Sequence, residues 1–119
     1  MMAKRILFLC YDRRVMMQRK LVLEDAGYRV TGTTKDAEAL DLLTHEKFDL
    51  VIVGDKMPTY KRAELDKKSK KLKPATPVIV FLNHANDPDG AADAVVTHPE
   101  NPHALLETVL EFVGKHSRA

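Results

Sequence analysis

Cys10 is the first side chain along the sequence with the makings of a catalyst, closing the apolar run Ile6-Leu7-Phe8-Leu9. A thiolate that attacks phosphate needs a cradle of backbone amides built from small residues, commonly closed by an arginine. After Cys10 the chain runs Tyr11-Asp12-Arg13-Arg14-Val15-Met16, with no Gly, Ser or Thr and with Met16 where such an arginine would stand. The thiol therefore reads as an inert, buried one. Cys10, Asp12, His84 and His98 are also of the types that ligate zinc or copper. No two of them have tight ligand spacing, so separate packed or solvated side chains account for them and no metal is expected.

The strongest charge feature is the stretch carrying Lys56, Lys61, Arg62, Lys67, Lys68, Lys70, Lys71 and Lys73, relieved only by Asp55, Glu64 and Asp66. A helix so charged could touch nucleic-acid phosphates or an acidic protein. It has no interleaved aromatic beyond Tyr60, and a solvated face explains it as simply. The overall balance is only +2 over 119 residues, which points to no partner by itself.

The elements that must position these residues can be read from periodicity. Phe48-Asp49-Leu50-Val51-Ile52-Val53-Gly54-Asp55-Lys56-Met57-Pro58 centres on a β-branched apolar run that suits a strand buried on both faces. Arg5 to Cys10, Tyr28 to Thr31, Val78 to Leu82 and Ala94 to Thr97 read as further short strands. Between them, Val15, Met16, Val22, Leu23 and Ala26 share one stripe of a helix from Arg13 to Ala26, stopped by Gly27. Thr33 or Thr34 is placed to cap a helix from Lys35 to His45, and Arg62 to Leu72 is a weaker helix. Asn101 and Pro102 open a final helix with Leu105, Leu106, Val109, Phe112 and Val113 on its apolar face. Asn83 to Gly90 is turn-rich and reads as loop.

Strands alternating with helices predict a single α/β domain over residues 1–119, with a doubly wound, flavodoxin-like, five-stranded parallel sheet in the order 2-1-3-4-5. Ligands of such sheets bind beyond the carboxyl ends of the central strands, here near residues 54–58. No apolar run is long enough to cross a bilayer, the apolar block after Lys4 and Arg5 is too short for a signal peptide, and the lone cysteine agrees with a reducing compartment. A cytoplasmic location is expected.

In this order and spacing the residues resemble the receiver domain of bacterial response regulators, CheY-like proteins of two-component phosphorelay signalling. The resemblance is carried by Lys4-Arg5-Ile6-Leu7-Phe8-Leu9, Glu24-Asp25-Ala26-Gly27-Tyr28-Arg29-Val30, Ala37-Glu38-Ala39-Leu40, the Asp49-to-Pro58 segment and Pro77-Val78-Ile79-Val80, and spans nearly the whole chain.

At the site, the resemblance implies a loss. The acidic pair that holds magnesium in the family falls on Cys10 and Tyr11, and the phospho-accepting aspartate falls on Gly54. The hydroxyl-bearing switch residue falls on Leu82, and the lysine that pairs with the acceptor falls on His98, which precedes Pro99 where the family has a cis proline. Asp55 is the one substitute acceptor, with Asp12 the nearby acid. Asp55 is one residue late, and strand alternation points it away from the old pocket. The segment between Leu82 and His98 is several residues short, so the fourth helix is expected to be missing or much reduced.

The expectation is a non-enzymatic, stand-alone pseudo-receiver that has lost the magnesium site and acts through phosphorylation-independent contacts with a protein partner, a second copy of the chain among them. The alternatives are a receiver phosphorylated at Asp55 and a nucleic-acid-associated protein that uses Lys61, Arg62, Lys67, Lys68, Lys70, Lys71 and Lys73.

Overall fold

The computed structural model describes residues 4–54, 59–72, 76–81, 94–96 and 100–113. Along the chain it forms β1 (Arg5–Leu9), α1 (Arg13–Asp25), β2 (Arg29–Thr33), α2 (Asp36–His45), β3 (Leu50–Val53), α3 (Thr59–Lys70), β4 (Val78–Phe81), β5 (Ala94–Val96) and α4 (Pro102–Val113). The strands pair in parallel in the order β2-β1-β3-β4, and the three-residue β5 lies beside β4. This is the α/β, flavodoxin-like arrangement that the alternation of elements implies. The stretch in which the fourth helix is expected to be missing or reduced falls on residues 82–93, outside the described residues.

The sheet holds because its central strands have nothing to present to water. Every side chain of β3 and of β4 is buried, and Ile6 to Leu9 of β1 are buried with them. Each such aliphatic side chain contributes about 1.5–3 kcal/mol when removed from water. Alternation along the strands then sorts the apolar residues into two cores. Ile6, Phe8 and Cys10 join Leu50, Ile52, Ile79 and Phe81 under α1 and α4, through Met16, Leu23, Leu105 and Val109. Leu7, Leu9, Val51, Val53, Val78 and Val80 face α2 and α3, through Ala39, Leu43 and Leu65. Asp49 fixes where this register begins: its carboxylate accepts from the Arg5 backbone N–H at 2.8 Å, and its own N–H donates to the Arg5 carbonyl at 2.8 Å.

Helix ends follow local chemistry. Gly27 takes φ 102°, the left-handed conformation that closes α1 and that a side chain would resist. Asn101 accepts from the N–H groups of His103 and Ala104 at 3.0 and 3.3 Å, the cap that its position before Pro102 implies.

Two elements differ from the sequence reading by more than one residue at an end, β2 and α3. Thr33 does not cap α2 from outside β2. It is the last residue of β2, paired with Leu9 and buried, because the β1 register carries the strand two residues past Thr31. Its hydroxyl accepts from the Lys35 N–H at 3.1 Å and donates to the Glu38 carboxylate, so it still organises the start of α2 while Lys35 takes the cap position. The third helix begins at Thr59, directly after Pro58, rather than at Arg62, and ends at Lys70. Lys71 and Leu72 leave it in a turn whose N–H groups donate to the carbonyls of Lys68 and Ser69. Among the described residues, no helix is long and apolar enough to cross a membrane.

Candidate functional site

The carboxyl ends of β1 and β3 lie side by side and extend beyond the strands themselves. The Gly54 N–H donates to the Leu9 carbonyl at 2.8 Å, and the Cys10 N–H donates to the Thr33 carbonyl at 3.1 Å. These bonds bring Cys10 and Gly54 together at the top of the sheet. Strand alternation puts both on the α1 and α4 side, in line with Phe8 and Ile52. Cys10 is 4% exposed, and its thiol donates weakly to the Asp12 carbonyl at 3.5 Å.

The space beside Gly54 is closely packed. A Cβ placed on Gly54 would stand 2.9 Å from Cys10 Sγ and 3.2 Å from both Cys10 Cα and Cβ. Carbon and sulfur do not pack that closely. Gly54 and Cys10 are thus mutually fitted: the thiol fills the volume from which a side chain at position 54 would have to begin.

The neighbouring polar groups are engaged with the scaffold. Asp12 Oδ1 accepts from the Val15 N–H at 3.1 Å and is the N-cap of α1. From sequence, Asp12 stands out only as a spare acid or ligand. Its place immediately before an apolar-periodic segment is the signal for a cap. Tyr11, exposed, donates its phenol hydroxyl to Asp36 Oδ1 at 2.6 Å and so ties the loop after β1 to the first turn of α2. That bond has no signature in the sequence, since 25 residues separate the partners.

The cap can be tested directly. Asp12→Ala is expected to cost about 1 kcal/mol of stability, whereas Asp12→Asn, an equally good cap, costs almost nothing. Urea denaturation of the two variants checks this, and equal loss in both would show that the negative charge, not the cap bond, matters.

Of the other residues singled out from sequence, Asp55, Leu82, His84, His98, Pro99 and Lys73 lie outside the described residues. Cys10 and Asp12, the described half of the ligand group considered for zinc or copper, meet through a backbone carbonyl rather than as a pair of ligands. Among the described residues no three His, Cys, Asp or Glu side chains cluster as a metal site. In α3, Leu65 and Ser69 are buried against the sheet, and Lys67, Lys70 and the following Lys71 are exposed with Lys68 half-buried. Lys61 and Arg62 belong to the first turn of the same helix.

Comparison with known proteins places this architecture. The model of the response regulator receiver domain matches residues 9–109. No match was found among curated proteins. Among solved structures, a CheY-like response regulator receiver domain protein from Methanospirillum hungatei JF-1 is 30% identical, with 96% of each chain covered and a TM-score of 0.80. The response regulator TrrA from Thermotoga maritima, solved in complex with Mg(2+)-BeF, is 26% identical with a TM-score of 0.80, over 92% of this chain and 98% of that one. The chemotaxis response regulator CheY4 of Vibrio cholerae shares the fold at 22% identity and a TM-score of 0.80, over the same shares of the two chains. With the family model covering most of its length and the fold shared with these relatives, the chain belongs to the response regulator receiver domains of two-component signalling.

Proposed function

We propose that this receiver signals through phosphorylation-independent contacts with a protein partner. The observation that carries the proposal is the fit of Cys10 against Gly54, where Sγ stands 2.9 Å from the point at which an acceptor side chain would start. Gly54 offers no oxygen nucleophile, and the space for one is taken by a buried thiol.

The residues at the family's magnesium position do not suit that ion either. Magnesium requires hard oxygen ligands in near-octahedral array. Cys10 offers sulfur, the Tyr11 hydroxyl is committed to Asp36, and the Asp12 carboxylate caps α1. No step of the proposed function runs through a metal. The scaffold that would present a signalling surface is kept, which supports a role in binding rather than in phosphoryl transfer.

The test is incubation with acetyl phosphate and magnesium, read by intact-protein mass spectrometry, alongside amide spectra with beryllofluoride and magnesium. The expected outcome is no phosphoryl adduct and no response at Cys10, Tyr11 or Gly54. A phosphoryl adduct that maps to Asp55 would overturn the proposal in favour of a receiver with a displaced acceptor.

A further inference from the structure

The exposed face of α1 is built as its own complement. Among the described residues four large apolar side chains are notably exposed, and two of them, Met17 at 44% and Leu21 at 62%, sit one turn apart on this helix. At about 100° per residue they form the middle of a stripe whose two borders are charged. Arg13 and Glu24 border it on one side, and Arg14 and Asp25 on the other, all four exposed. Positive charge thus lies at one end of the stripe and negative charge at the other, on both borders. That is the reverse of what the helix dipole favours, so helix stability alone does not account for it.

We propose that α1 is a self-association surface on which a second copy of this chain docks antiparallel about a two-fold axis. A two-fold perpendicular to the helix, at the height of Arg19, keeps each border facing the same border of the other copy. Arg13 then meets Glu24 of the other copy, Arg14 meets its Asp25, and Met17 packs against its Leu21, each contact occurring twice as isologous symmetry requires. Within the chain Glu24 already holds Lys20 at 3.0 Å, which leaves its carboxylate between Lys20 and the incoming Arg13. Among the described residues Arg13, Arg14 and Asp25 form no ion pair of their own. No other partner is required to be self-complementary in this way, and the mirrored charge order is the reason for assigning the surface to a second copy. One helix pair is a small interface, so the dimer is weak, concentration-dependent and weakened by salt. The surface lies on the exposed side of α1, away from the sheet, and the inference does not depend on how Gly54 and Cys10 behave.

The decisive experiment is a charge-swap pair in the full chain, followed by sedimentation equilibrium. The R13E/R14E variant carries only acids on the borders, and the E24R/D25R variant only bases. Each alone is expected to associate at least about tenfold more weakly than the parent chain, because like charges now face each other. Mixed, they are expected to form a heterodimer tighter than the parent dimer, and Leu21→Asp in either variant is expected to abolish it. All substituted positions are exposed, and circular dichroism confirms that each variant is folded before mixing. A parent chain that stays monomeric to millimolar concentration overturns the proposal. So does a parent dimer that neither charge variant weakens, or a mixed complex indifferent to Leu21→Asp.

Discussion

Gly54→Ala is expected to destabilise the protein by about 1–3 kcal/mol, and a good part of that loss is expected to vanish when Cys10 is replaced by Ala as well. The backbone at Gly54 is not in the left-handed region, so conformational strain is not the source. The source is steric. The added methyl would meet Cys10 Sγ at 2.9 Å, and the sulfur belongs to a buried residue directly after the central strand β1, held there by its N–H bond to the Thr33 carbonyl. Removing the sulfur leaves contacts of 3.2 Å to Cys10 Cα and Cβ, which a small shift accommodates, so relief is partial. A double-mutant cycle by urea denaturation isolates this coupling, expected at about 1 kcal/mol in the relieving direction. Gly54→Asp is expected to cost more than Gly54→Ala, since a carboxylate follows the clashing carbon into a largely buried position. If Gly54→Ala is neutral, or its cost is the same with and without the thiol, then Cys10 does not occupy the acceptor's space and the steric part of the functional argument is lost.

Why some of this is legible in the sequence and some is not comes down to the range of the interactions. Leu50 to Val53 can be assigned to a central strand because a continuous β-branched run has few other stable fates, and Gly27 and Asn101 mark helix ends by chemistry that acts within a few residues. The position of Gly54 is likewise legible, through the family resemblance, whose spacing from Asp49 and to Pro58 falls on it. What that glycine does is not. That Cys10 fills its space depends on the register of β1 against β3, which alternation alone does not specify. Thr33 is misplaced by sequence for the same reason: its local pattern is that of a cap, but pairing with Leu9 draws it into β2. The Tyr11 to Asp36 bond joins the loop after β1 to the first turn of α2, which only the finished sheet brings together. Asp12 is the opposite case, a local signal for a cap that is present in the sequence and is easily mistaken for chemistry.

Phe8→Ala carries the largest expected loss, about 3–5 kcal/mol. Phe8 is fully buried near the carboxyl end of β1, between Gly32 of β2 and Ile52 of β3 in the register of the sheet. Its ring stands edge-on to Phe81, with centroids 5.4 Å apart and planes at 65°, an arrangement worth about 0.5–1.5 kcal/mol beyond the area that it buries. Truncation removes that contact and opens a cavity bounded by β-strands. Strands paired on both sides cannot move in to fill it, so the loss should fall toward the upper part of the range. Domains of this size have about 5–15 kcal/mol in total, so the variant is expected to be near unfolding at room temperature. Leu21→Ala provides the contrast: the residue is equally apolar but 62% exposed, and its truncation is expected to change stability by no more than about 0.5 kcal/mol. Urea midpoints of the two variants, compared at equal slope, measure the difference. A Phe8→Ala loss below about 1.5 kcal/mol would mean that the core above β1 relaxes freely. The close fit of Cys10 to Gly54, two residues further along the same face, would then be soft as well.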